Sequence, residues 1–245
     1  MFMRLSIAFL FTGLVSGSSA QPSQDAAMER FREMSRRNEA SLEGNPFVGV
    51  TSDGKVEKGL YKIESTGVSA DSIREAALAF LNSLSGSEKT KTLFSVDDDE
   101  WRKWMNQHFY IRQGMGFEDM NDKQKERAFD LLRSSLSPEG FKLARNIMKL
   151  NHTLGEMGGD MFMLGEWAYW ITIMGEPSRT EPWGWQIDGH HLIINFFVLG
   201  DQVVTTPTFV GSEPVIATEG KFAGIEILQE EQDRAAAFMR GLSST

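Results

Sequence analysis

Residues 190–209 read His190-His191-Leu192-Ile193-Ile194-Asn195-Phe196-Phe197-Val198-Leu199-Gly200-Asp201-Gln202-Val203-Val204-Thr205-Thr206-Pro207-Thr208-Phe209. Behind the two histidines the run is apolar, β-branched and aromatic, which predicts a long strand over His190–Leu199. Leu199-Gly200-Asp201-Gln202 predicts a tight hairpin turn. Val203–Phe209 is then the return strand. Pro207 has no N–H to donate to a ladder, so it predicts a bulge or an edge position.

Upstream of the hairpin, Trp167–Met174 is rich in aromatic and β-branched residues and predicts a further strand. Gly175–Pro182 predicts a loop. Before that the period changes to that of helices. Ser69 or Asp71 can cap a helix through Leu84, with Ala77, Leu78, Phe80, Leu81 and Leu84 apolar. Asp97-Asp98-Asp99-Glu100 ahead of Trp101 and Trp104 predicts another helix start, because acids suit the positive end of the helix dipole. Their spacing is not that of a calcium loop. Asn121 predicts a cap for a helix through Ser135. Ser137-Pro138 predicts a start with proline at the first helical position, and that helix runs to Leu154 before Gly155–Gly159 ends it. Leu228–Leu242 predicts a final helix.

The N-terminal part is less regular. Residues 21–46 predict an amphipathic leading helix or a loose tail, with Met28, Phe31 and Met34 on one stripe. Phe47–Gly67 predicts short strands and turns, including a strand over Leu60–Ile63. A helical N-terminal part, an antiparallel β-hairpin region and a C-terminal helix make an α+β protein, with one domain over 47–245.

Composition bounds the function. The chain has 245 residues, a net charge of −9 and no cysteine. An acidic surface repels phosphate backbones, so nucleic acid is not expected as a partner. Thiolate metal sites, cysteine nucleophiles and disulfides are excluded. Met1–Arg4, the apolar run Leu5–Val15 and the small-residue segment Ser16–Ala20 together predict a signal peptide over 1–20, cleaved after Ala20. The apolar run is shorter than the ~20 residues a spanning helix needs. The expectation is an exported, periplasmic or extracellular protein with no transmembrane segment once the signal is removed.

There is no glycine-rich phosphate loop, serine elbow or helical histidine pair around a glutamate. The chemistry-bearing residues concentrate in Glu181–His191, which holds Trp183, Trp185, Gln186, Asp188 and two of the four histidines. Neutral imidazole is a common metal ligand and proton carrier. On a regular strand His190 and His191 would face opposite sides, so one ion could take both only if the backbone were irregular there, for instance at Gly189. Both histidines could equally be structural residues at the start of a buried strand. Third partners for a site are Asp188, Glu213, Glu181, His108 and His152. Arg102 and Asn106 are lesser candidates. Asn151-His152-Thr153 matches a glycosylation sequon but falls within a predicted helix.

The run EPWGWQIDGHHLIINFFVLGDQVVTTPTFVGSEPV resembles the signature of the domain of unknown function 3500 family. TSDGKVEKGLYKIESTGVS, DEWRKWMN, LSPEGFKLARNIMKLN and FAGIEILQEEQ extend the likeness over Thr51–Gln232. The resemblance implies export but no particular activity. It places one motif on Trp183, Trp185, Gln186, Asp188, His190 and His191, and a second on Pro207, Thr208, Phe209, Gly211, Glu213 and Pro214. It implies that the two converge on any site. It also implies a domain that runs beyond the neighbourhood of Met239, and so a C-terminal truncation here.

Two functional expectations follow. In the first the protein is a metal-dependent, hydrolytic enzyme. Its cofactor is a divalent ion held by His190, His191 and Glu213, with Asp188 and the histidines catalytic. Iron or copper chemistry with oxygen suits the same donors. In the second it is a non-catalytic protein that binds a small molecule or carbohydrate through Trp183, Trp185, Gln186 and Asn195.

Overall fold

The computed structural model describes residues 24–43, 62–107, 111–159 and 164–242, together with 45, 53, 55, 57, 59 and 161. The signal peptide expected over 1–20, most of the Phe47–Tyr61 stretch and His108 lie outside the described residues. Lys62 and Ile63 are not in a strand.

The helices are α1 Gln24–Glu43, α2 Asp71–Ser83, α3 Gly86–Thr92, α4 Asp122–Ser135, α5 Pro138–Gly158 and α6 Gln229–Gly241. Their starts are written in local chemistry. The Asn121 side chain accepts from the Gln124 N–H while Gln124 Oε1 accepts from the Asn121 N–H, which closes a capping box on α4. The Ser137 hydroxyl accepts from the Gly140 N–H ahead of Pro138 at the start of α5. That helix runs to Gly158, past the expected end at Leu154. Gly155 is not a stop signal but a close-packing residue: a Cβ there would lie 2.5 Å from the Leu164 carbonyl oxygen. The terminator is Gly159, whose φ of +69° is left-handed.

The helix expected after the four acids is a single 3-10 turn, Asp99–Arg102. The Asp98 carboxylate accepts from the Glu100 N–H, and the Trp101 indole donates back to the Val96 carbonyl. These local bonds hold a turn, and the backbone leaves helical geometry at Lys103 although Trp101, Trp104 and Met105 have the spacing of a helical stripe.

The strands are β1 Leu93–Phe94, β2 Met115–Gly116, β3 Tyr169–Met174, β4 Trp183–Gly189, β5 Leu192–Leu199, β6 Gln202–Val204 and β7 Thr208–Val210. The order β1-β3-β4-β5-β6 is antiparallel except for the parallel β1–β3 pair. Short β2 shares an edge with β1, and β7 shares one with β6. The expected return strand is thus two strands interrupted around Pro207, which occupies the break as its chemistry requires.

The sheet is covered on both faces. Tyr169, Ile171, Trp183, Trp185, Ile187, Leu192, Ile194 and Phe196 pack with Ala77, Phe80, Leu131, Leu132, Ile147 and Met148 of α2, α4 and α5. The opposite face carries Gln186, Asp188 and Asn195: Gln186 Nε2 donates to the Trp101 carbonyl oxygen, and Arg112 pairs with Asp188. No described helix is long and apolar enough to cross a membrane.

Candidate functional site

The predicted strand start at His190 gives way to a different arrangement. β4 and β5 form a hairpin in which Gly189 pairs with Leu192, so His190 and His191 are the two residues of its turn. The opposite-face rule for strands therefore does not apply to them. Their rings lie together, with centroids 4.0 Å apart and planes tilted by 30°. His191 sits at φ +58°, a left-handed conformation in which glycine or asparagine is the usual occupant. Strain of this kind collects where a side chain has work to do.

Three bonds hold the turn. The Asn106 carbonyl accepts from the His191 N–H, the Gly211 N–H donates to the His191 carbonyl, and the Tyr169 hydroxyl donates to the His190 carbonyl, each at 2.9 Å. Gly189 makes the last possible: a Cβ there would lie 2.0 Å from the Tyr169 ring. Pairing of β7 with Leu192–Ile194 then carries the chain back past the turn and delivers Glu213 beside it. Ligand atoms of His190, His191 and Glu213 lie within 4.8 Å of one another. The two motif segments do converge.

Burial disfavours the charged form of both histidines. Burial, then the neighbouring His191 and Arg112, pushes His190 down to about 4. Burial also lowers His191, against the opposing pull of Glu213. His190 Nδ1 is 2.9 Å from Asn151 Oδ1. The Asn151 amide nitrogen donates to the Gly165 carbonyl oxygen, which fixes the amide orientation. Asn151 Oδ1 is therefore the acceptor and His190 Nδ1 the donor, leaving the lone pair on Nε2. His191 Nε2 is 3.8 Å from Glu213 Oε2, and its buried Nδ1 has no hydrogen-bond partner among the described residues. Glu213 itself is largely exposed.

The other expected site residues go elsewhere. Asp188 is buried and pairs with Arg112 at 3.0 Å, not with the ligand cluster. Burial raises its carboxyl to about 6 although Arg112 opposes this. Trp183 and Trp185 have no exposed surface; Trp185 stacks on Phe196 within the core. Ring surface for stacking on a ligand has been given to the core instead. Gln186 donates to Asn195 Oδ1 at 2.6 Å, and Asn195 donates to the Pro207 carbonyl. Glu181 lies at the far end of β4, and His152 pairs with Glu156 at 3.4 Å.

Asn151 and Arg112 are contributors that sequence reasoning missed. Asn151 could have been found as the polar member of the buried α5 stripe Ala144, Ile147, Met148 and Asn151. Its burial leaves no room for a glycan at the sequon.

Fold and site define an α+β protein with a histidine–carboxylate cluster at the turn of its central hairpin. The family described as "Protein of unknown function (DUF3500)" matches residues 66–245, and the chain belongs to that family. No curated protein and no solved structure matches it.

Proposed function

We propose that the protein binds a divalent metal ion through His190, His191 and Glu213, and that the centre serves hydrolysis. The observation that carries this reading is the approach of the three ligand atoms to within 4.8 Å. Nitrogen and oxygen ligands bind such ions at about 2.0–2.2 Å, so two donors on one ion lie within roughly 4.4 Å. The closure needed is small, and the exposed Glu213 side chain is free to supply it. Asn151 behind His190 is the outer partner that ligating histidines use to fix tautomer and ring orientation. Three protein ligands leave a position open, and an ion there supplies Lewis acidity and a water of lowered pKa. The chain's own part is to present two neutral imidazoles and to hold the turn with Tyr169, Asn106 and Gly211. Export is part of the same proposal and rests on the pattern of residues 1–20.

The test is elemental analysis of the mature protein, purified without a histidine tag, beside His190→Ala, His191→Ala and Glu213→Ala. Near-stoichiometric metal in the parent, lost in folded variants, is the expected result. Hydrolysis of a chromogenic ester or phosphoester, abolished by EDTA, is expected with it. A folded parent that takes up neither zinc nor iron overturns the metal reading. N-terminal sequencing of the protein recovered outside the cytoplasm should begin at Gln21.

A further inference from the structure

A groove of about 600 Å³ opens on the sheet face away from the helical core, lined by Trp101, Trp104, Phe197 and Pro207 with Asp97 and Asp98 beside them. Its volume falls within the ~300–1,000 Å³ of small-molecule sites. Its floor is built: Asn195 at its base is held by Gln186 on one side and the Pro207 carbonyl on the other. The Trp101 indole N–H is already bonded to Val96, so that ring contributes apolar surface.

Three carboxylates, Asp97, Asp98 and Asp99, line the groove against one cation, Arg102. Asp99 pairs with Arg102 at 3.3 Å, and Arg102 spends a second nitrogen on the Asn45 carbonyl. Lys103 lies 4.0 Å from Glu39. Asp98 takes only the Glu100 N–H. Asp97 and Asp98 are therefore left without a cation of their own among the described residues. Aromatic rings beside uncompensated carboxylates suit a cation with an apolar body, attracted by the ring faces and by the acids together. The geometry points to a second binding site here, for a small organic cation whose ammonium group faces Asp97 and Asp98 and whose apolar body lies against Trp104 and Phe197.

The site stands apart from the histidine cluster, so its test is independent of the metal reading. Benzyltrimethylammonium, titrated by calorimetry and tryptophan fluorescence into the full protein, should bind saturably at one site. Uncharged benzyl alcohol should bind at least ~tenfold more weakly. Asp97→Asn should weaken the cation several-fold, and Trp104→Ala should remove most of its binding. Trp104→Phe, which keeps an aromatic ring, should restore it, separating a lost contact from a lost fold. EDTA treatment and Glu213→Gln should change nothing. Equal affinity for the neutral probe overturns the assignment. So does cation binding that survives both Asp97→Asn and Trp104→Ala, or no saturable binding by the folded parent.

Discussion

His190 Nδ1 and Asn151 Oδ1 meet 2.9 Å apart where the hairpin turn rests on α5. The contact sets which imidazole nitrogen carries the proton, and so which one can hold an ion. Loss of such an outer partner typically weakens metal binding ~10–100-fold. Asn151→Ala should do so, measured by competition with a chromophoric chelator. Asn151→Asp still offers an oxygen to the imidazole N–H and should recover much of the affinity. Neither variant can donate to the Gly165 carbonyl, so both should lose ~1–3 kcal/mol of stability in urea. Equal metal affinity in all three proteins would remove Asn151 from the site.

His191 pays for its position with a left-handed backbone. A non-glycine residue there costs roughly 1–2 kcal/mol. His191→Gly relieves that cost while deleting an imidazole that packs on His190 and Phe209. The two effects oppose, so thermal unfolding should move little while bound metal falls sharply. A variant that keeps its metal would show that the strain serves something else.

Much of this was legible in the sequence, and the failures are instructive. The caps at Asn121 and Ser137 are local chemistry and read directly. The β4 strand was not expected, although Trp183, Trp185 and Ile187 alternate with Gly184, Gln186 and Asp188 as a strand requires. Its polar members look like a site because a strand buried on both faces must carry satisfied polar groups, and their partners at Trp101, Arg112 and Asn195 are distant in sequence or on the next strand. The histidines failed as strand residues by two positions, since only pairing shows where a turn begins. Glu213 was legible as a candidate, but its approach depends on the register of β7 against β5.

Glu100 gives a pH signature. Its carboxyl is raised from 4.5 to about 7, mainly by burial, with Asp98, Asp188 and Glu39 adding and Lys103 opposing. An acid with a raised folded pKa binds its proton more tightly in the native state. The stability it allows is complete below about pH 4.5 and is lost as pH rises from there to about 7. Glu100→Gln keeps the shape and cannot ionise. It should raise Tm at pH 8 by roughly 2–4 °C and flatten the fall between pH 5 and 7. An unchanged pH profile in this variant would show that Glu100 is solvated.

Arg112 and Asp188 form the ion pair buried under the hairpin, 3.0 Å apart with almost no exposure. Arg112 also donates to the carbonyls of Met105 and Gln107, so it ties the segment bearing Asn106 to the strand leading into the turn. Breaking a buried pair strands the remaining charge and costs ~3–5 kcal/mol. Arg112→Met should lose about that much in urea unfolding at pH 7. Near pH 4.5 the loss should be smaller, because burial already holds Asp188 largely protonated there. Adding Asp188→Asn removes the stranded charge and should recover part of the loss. The unrecovered remainder reports the two carbonyl bonds. A single-variant cost under ~1 kcal/mol, the range of solvated surface pairs, would mean that water reaches this pair and that it does not clamp the turn.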